Sequence, residues 1–244
     1  MSNSIIIIPS RLAATRLPQK PLIKINNKTL IMHVYEKAIE SQIGEVYVAT
    51  CDELIASEVR KNGGKVVMTD IKHTTGTDRV FEASQKLNLK DIDFIMNIQG
   101  DEPMINPLDI KNLNKISKEK NLNISTLAYN IEKKEDYDNE NIVKVITKNK
   151  ISNNSATEAL KFNRVVKENS SNNIYQHFGI YLYKYSALKK FVELQKSENE
   201  TKERLEQLRA IDNNIKINVI LANYFSSGID TKKDLEDYLK SIKK

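Results

Sequence analysis

The sequence predicts an α/β fold with a mostly parallel, mixed central sheet flanked by helices. Three observations predict it. Short apolar or β-branched runs alternate with segments of helical spacing through the first hundred residues. Glycine and proline punctuate the joints between them. Polar residues then cluster just beyond the run ends, where ligands bind in open sheets of this kind.

The elements follow in order. Ile5–Ile8 is a continuous apolar run, as expected of a strand buried on both faces. Ile31, Val34, Tyr35 and Ala38 recur at helical spacing. "EVYVAT" (45–50) is β-branched, and the helix expected over Glu53–Asn62 stops at Gly63-Gly64. "KVVMT" (65–69) is a third strand, 77–87 a helix with Val80, Ala83 and Leu87 on one side, and "FIMNIQ" (94–99) a fourth strand. Helices between successive strands imply right-handed crossovers and parallel pairing. Beyond these, strands are expected over 124–129, 143–147, 177–183 and 215–221, and helices over 185–194 and 201–208. Residues 148–173 are polar, rich in Asn and Ser, and carry no strong pattern, which suggests an excursion or a flap. The final helix is well marked, with Thr231 as N-cap, Asp234 three residues on, then Leu235, Tyr238, Leu239 and Ile242. One domain spanning 1–244 is expected, with a smaller excursion over about 124–190.

Composition narrows the function classes. The chain carries 38 Lys and Arg against 32 Asp and Glu, a net charge of +6. The cations are scattered among acidic residues, Trp is absent and the aromatics form no stacking platform, so nucleic acid is not the expected partner. No apolar run reaches the roughly 20 residues of a membrane span, and no basic segment leads the N-terminal isoleucines as in a signal peptide. Cys51 is the sole cysteine, which rules out a disulfide framework and a thiolate metal site. A cytoplasmic protein without membrane contact is the expectation.

Four places lie where the sheet rule points: 9–20, 50–53, 69–79 and 99–103. "PSRLAATRLPQKP" (9–21) holds no glycine but three cations, Arg11, Arg16 and Lys20. A glycine-rich turn grips a diphosphate with backbone N–H groups; without glycine the charge must come from side chains, which suits a triphosphate. A basic surface loop would carry the same residues, but its place after the first strand and its stiffening prolines favour the phosphate reading. "QGDEP" (99–103) sets Asp101 and Glu102 just past a buried strand, where a carboxylate is well placed to hold Mg²⁺. "SGIDT" (227–231) offers Asp230 as a further carboxylate, which can equally help cap the last helix. "HTTGTDR" (73–79) can read a nucleobase edge with backbone and hydroxyl groups, or can simply begin a helix with Thr77 as its cap. His177 stands at the entry of an apolar strand, and "LEQLR" (205–209) reads most simply as an amphipathic helix.

Together, "IIPSRLAATRLPQKPL", "HTTGTDR", "NIQGDEPMI", "NENIVKV", "HFGIYLY", "LEQLR" and "GIDTKKDL" closely resemble the 3-deoxy-manno-octulosonate (Kdo) cytidylyltransferase family, in its order and over nearly the full chain. The resemblance implies a Rossmann-like nucleotidyltransferase fold and a cytoplasmic homodimer whose excursion serves the sugar site and the dimer. It implies transfer of CMP from CTP to Kdo for lipopolysaccharide synthesis, with Mg²⁺ as cofactor and diphosphate as product. Carried over by position, Arg11, Arg16 and Lys20 would grip the triphosphate, with Arg16, Lys20 and Asp101 catalytic. Pro9, Ser10, Thr75, Gly76 and Thr77 would border the nucleoside. Asp101 and Asp230 would ligate Mg²⁺. Gln99, His177, Tyr181, Glu206 and Gln207 would line the sugar pocket.

Three departures qualify the match. Gln19 stands where the family has Gly in "RLPGKP", and Cys51-Asp52 replaces an Asp-His pair. The family's "SRxxIP" segment is missing, with "ALKFNR" (159–164) a weak echo of its start. Because that segment borders the sugar, a modified Kdo such as the 8-amino sugar, or another acid sugar such as a sialic acid, is an alternative substrate. A non-catalytic or RNA-binding relative is a more distant one.

Overall fold

The computed structural model describes residues 3–13, 16–88, 92–166 and 173–242. Its contacts divide the chain into two compact units, residues 1–111 with 225–244, and residues 112–224.

The first unit is built on β1 (Asn3–Ser10), whose four isoleucines are all buried. Burying each such side chain stabilises the fold by about 1.5–3 kcal/mol, which fixes β1 at the centre of a parallel sheet. The order is β5-β4-β1-β6, with β4 at Val46–Thr50, β5 at Lys65–Met68 and β6 at Ile92–Asn97. All three pairings are parallel, as the alternating pattern predicted. Helices α1 (Leu30–Glu40), α2 (Glu53–Lys61) and α3 (Gly76–Leu87) supply the crossovers. Helix α2 ends where expected: Asn62 caps it and Gly63 takes a φ of 76°.

Between β1 and α1 lies a hairpin absent from the sequence reading, β2 (Lys24–Ile25) and β3 (Lys28–Thr29). Asn26 and Asn27 both have positive φ, 48° and 67°, the conformation a two-residue hairpin turn requires and asparagine tolerates. Also unforeseen is α4 (Pro107–Glu119), which begins on a proline and buries Ile110, Leu113 and Ile116. The last helix, α8 (Lys232–Ser241), starts as predicted: Thr231 accepts from the Asp234 amide, and Asp234 accepts from the Thr231 amide.

The second unit holds β7 (Ile124–Asn130), β8 (Lys144–Thr147), β9 (Ala156–Asn163), β10 (Ile174–Lys184) and β11 (Asn218–Leu221). The order β10-β7-β11-β9-β8 closes on itself, because β8 pairs with β10 as well as β9. Among the described residues of this unit, β11–β7 is the parallel pairing and β10–β7, β10–β8, β11–β9 and β8–β9 are antiparallel. Strand β9 corrects the reading of 148–173 as patternless: Thr157, Ala159 and Phe162 are buried, but the alternation breaks at exposed Leu160 and Lys161. The helix expected over 201–208 is also corrected. Helices α6 (Glu198–Glu203) and α7 (Leu208–Asp212) flank it, and Arg204, at φ 54°, breaks the run. "LEQLR" is therefore a turn leading into α7. Helix α5 (Tyr185–Val192) forms close to its expected place.

Candidate active site

Beyond the ends of β1, β5 and β6, the first unit holds a cavity of about 340 Å³. Its walls include Pro9, Ser10, Arg11, Arg16 and Lys20 from the loop after β1. Thr75 and Gly76 face it from the start of α3, and Gln99, Gly100 and Asp101 from the turn after β6. Asp230, just before α8, completes the wall. Nearly every residue assigned to the nucleotide and the metal thus meets at one place.

The loop after β1 is fixed at several points. The Leu12 amide donates to Asp52 Oδ2 at 2.8 Å, so the carboxylate at the end of β4 tethers the loop start. Leu17 and Ile229 share an apolar cluster with Ile25 and Leu30, against which Leu235, Tyr238 and Leu239 of α8 pack. Gln19, where the resemblance expects glycine, has φ 52° and ψ 28°. This left-handed conformation explains why glycine suits the position. It turns the chain into a short 3-10 turn, Lys20–Leu22, stiffened by Pro21. Lys20 is thereby aimed into the cavity.

There the charges converge. Lys20 Nζ donates to Asp101 Oδ2, and to Asp230 Oδ1 at 2.8 Å. Arg16 Nη2 donates to Asp230 Oδ2 at 3.0 Å. Burial opposes the charge on Lys20, but Asp101 and Asp230 outweigh it and raise its pKa. Burial likewise disfavours the Asp230 carboxylate, yet Lys20 and Arg16 hold its pKa below the ordinary value. Two carboxylates from distant parts of the sequence therefore share one cation, which shows that their oxygens can meet around a single positive centre. Hard carboxylate oxygens so placed fit a divalent cation such as Mg²⁺. Among the described residues no cluster of three or more His, Cys, Asp or Glu could hold a metal, so phosphate and water oxygens would complete such a shell. Glu102, beside Asp101, is part-exposed; desolvation of its carboxyl pushes it up to about 7, and Asp101 adds to the shift.

The wall from β5 to α3 shows how the "HTTGTDR" segment is held. Thr75, not Thr77, caps α3: its hydroxyl accepts from the Asp78 amide at 3.1 Å. Thr77 is buried in the first turn and is not a cavity wall. His73 and Arg79 are walls that sequence reasoning did not single out. His73 Nε2 lies 2.5 Å from Glu82 Oε2, which also accepts from the Asp70 amide at 2.8 Å. The i, i+9 spacing of His73 and Glu82 across a loop and a helix gave no signal.

Four of the residues assigned to the sugar belong to the second unit. A bulge in β10 between Phe178 and Tyr181 sets the first two. Thr126 Oγ1 lies 3.0 Å from His177 Nε2, 3.0 Å from the Phe178 carbonyl and 2.7 Å from that of Ile180, so β7 holds the bulge. The His177 and Tyr181 rings are 5.5 Å apart, with Phe162 edge-on to His177 at 5.0 Å. Enclosure drives His177 down to about 3, keeping the imidazole neutral. Burial raises Tyr181 well above its ordinary value, and Tyr183 and Glu206 add to the shift, which places the Glu206 carboxylate near the phenol. Gln207 is buried at the N-cap of α7, whose Arg209 forms a buried two-point pair with Glu200, at 2.8 and 2.6 Å. Gln99 lies in the cavity of the first unit, its Nε2 donating to Asn97 Oδ1 at 3.2 Å. Thr126 was missed because a strand threonine has no sequence signature of this role.

Known proteins resemble this chain in sequence and fold. The cytidylyltransferase family matches residues 5–217. A 3-deoxy-manno-octulosonate cytidylyltransferase of Thermodesulfovibrio yellowstonii is 46% identical over 96% of this chain and 95% of its own length. That of Nitrobacter winogradskyi is 39% identical over 96% of this chain and 92% of its own. A solved CMP:2-keto-3-deoxy-manno-octonic acid synthetase complexed with CTP is 35% identical, with a TM-score of 0.88 over 99% of each chain. On identity carried across nearly its whole length, this chain belongs to the 3-deoxy-manno-octulosonate cytidylyltransferase family and is a nucleotidyltransferase of Rossmann-like fold.

Proposed function

We propose that this enzyme transfers CMP from CTP to the anomeric hydroxyl of Kdo, releasing diphosphate and supplying CMP-Kdo for lipopolysaccharide synthesis. The observation that carries the reading is the meeting of Lys20, Arg16, Asp101 and Asp230 at one cavity wall. In the reaction the sugar oxygen attacks the α-phosphorus in line, the bond to the bridging oxygen breaks, and the hydroxyl proton is lost. Such chemistry asks the protein mainly for positioning and charge neutralisation. Arg11, Arg16 and Lys20 bind the triphosphate, and Arg16 and Lys20 stabilise charge growing on the departing diphosphate. Pro9, Ser10, Thr75 and Gly76 border the nucleoside. His177, Tyr181, Glu206 and Gln207 of the second unit bind and orient the acid sugar, and a neutral His177 offers hydrogen bonds without adding charge; by the same resemblance Gln99, in the first unit, is a sugar contact. Asp101 and Asp230 would hold Mg²⁺, which when bound polarises the α-phosphate.

The family resemblance supports a cytoplasmic homodimer, which light scattering tests as a mass of two chains. Diphosphate release with CTP and Mg²⁺, comparing Kdo, its 8-amino analogue and a sialic acid, tests the substrate. Kdo is expected to support the highest kcat/KM. Higher kcat/KM with the amino analogue would move the assignment to a modified Kdo, and release with UTP at the CTP rate would overturn it.

A further inference from the structure

Glu102 is a part-buried carboxylate of the "QGDEP" turn to which the proposed reaction gives no task. Its surroundings give it one. Ser226, itself 1% exposed, donates from Oγ to Glu102 Oε2 at 2.9 Å. A Cβ at Gly228 would lie 3.4 Å from Glu102 Oε1 and 3.6 Å from the Asp101 carbonyl oxygen, so the chain passes close against both. One residue further on, the Ile229 amide donates to that Asp101 carbonyl at 2.9 Å. The segment 226–229 is therefore fastened to residues 101–104 at three points: the Ile229 amide on the Asp101 carbonyl, the Ser226 hydroxyl on Glu102, and the Ser227 hydroxyl, which donates to Met104 Sδ at 3.6 Å, and Asp230 follows directly. Ile229 is also held in the apolar cluster with Leu17, and the Asp230 amide donates to Asp234 Oδ2 at 3.0 Å. Of these contacts, the one through Glu102 is made to a carboxylate and joins the segment to the residue next to Asp101.

We infer that Glu102 is a positioning residue: through Ser226 and Gly228 it holds Asp230 opposite Asp101 and so sets the spacing of the two carboxylates. The inference rests on the reading above that those carboxylates hold the divalent cation. Partners of this kind, which orient ligands without touching the metal, typically change metal affinity 10–100-fold when removed.

The test is the affinity for Mn²⁺ in the presence of CTP and the absence of sugar. Protein-bound Mn²⁺ is read by water-proton relaxation, beside the thermal midpoint and the metal-free CTP affinity of each variant. Glu102→Ala and Ser226→Ala are expected to weaken Mn²⁺ binding about tenfold or more while CTP binding without metal holds. Glu102→Gln keeps an oxygen facing Ser226 and is expected to stay within about threefold of the parent, well short of that tenfold loss. A lowered midpoint with unchanged Mn²⁺ affinity would make the contact merely structural and overturn the inference. So would equal loss in Glu102→Gln, which would assign the effect to charge. Should Glu102→Ala fail to fold, Ser226→Ala reads the same contact with the carboxyl in place. Asp101→Ala separates the two levels. If it leaves Mn²⁺ binding intact, the metal reading itself falls; if it abolishes binding while the Glu102 and Ser226 variants do not change it, only the positioning role falls.

Discussion

Lys20 makes the site's charges interdependent at the scale of single residues. Without it, Asp101 and Asp230 would face each other with no shared cation, and on the proposed function the triphosphate would lose a charge-assisted partner. Hydrogen bonds to charged groups are worth about 1.5–3 kcal/mol, so Lys20→Ala is expected to raise the KM for CTP roughly ten- to a hundredfold. Steady-state kinetics with varied CTP check this, and an unchanged KM would remove Lys20 from the phosphate grip. Asp101→Ala is expected to lower kcat by at least about a hundredfold with circular dichroism unchanged, as befits a group serving transition-state charge. Gln19 tests the backbone instead. Its left-handed conformation accepts glycine without strain, whereas a β-branched residue there costs about 1–2 kcal/mol. Gln19→Gly should therefore hold or raise the urea midpoint, and Gln19→Val should lower it. The cations of this loop were legible because their types and position suffice to suggest a phosphate. The roles of Asp52, Glu82 and Thr126 were not, since each acts on a partner far away in sequence or hidden in a strand.

Secondary-structure elements carry these side chains to their places, and the most legible elements were those with local causes. The isoleucine run of β1, the glycine stop of α2 and the capping box of α8 each follow from residues within a few positions. The same capping box bears on the site, because Asp234 Oδ2 accepts from the Asp230 amide at 3.0 Å as well as from Thr231. Thr231→Ala is expected to cost about 1 kcal/mol of unfolding free energy, with Thr231→Ser retaining most of it. Denaturant titration checks this; an unaltered midpoint in Thr231→Ala would show that packing of α8 alone fixes its start. Strand β9 and the break at Arg204 escaped the sequence because their causes are not local. Leu160 interrupts the alternation of β9, and its pairing with β8 and β11 decides the conformation. Arg204 is left-handed though it is not glycine, while Arg164, from β9's end, donates to the Arg204 carbonyl at 3.5 Å and to that of Glu203 at 3.1 Å.

For the whole molecule, the enclosure of His177 links stability to pH. The ring titrates near 6.5 when unfolded and at about 3 when folded, so between those values only the unfolded chain binds the proton. The stability this group contributes is fully present above about 6.5 and is lost as pH falls towards 3, at no more than about 1.4 kcal/mol per pH unit. Unfolding measured from pH 7.5 to 5 should show the loss, and His177→Gln should flatten it. An equal slope in the variant would locate the acid sensitivity elsewhere. The division of the chain into two compact units, with the second returning to the first at residue 225, belongs to this scale too. No composition shift in the sequence marks either crossing point.

The sequence by itself determined the parallel core around β1, the loop of cations after it, the carboxylates at 101 and 230, and the family. These rest on residue type and short spacing, which act within a turn or a strand. Only the tertiary structure decided that Asp101 and Asp230 share one cation, that Glu102 and Ser226 fasten their segments together, and that Thr126 shapes the bulge carrying His177 and Tyr181. Those contacts join residues more than fifty positions apart. Their partners are chosen by which strands pair and which loops meet, and that choice is made by burial of the whole core rather than by any neighbouring residue.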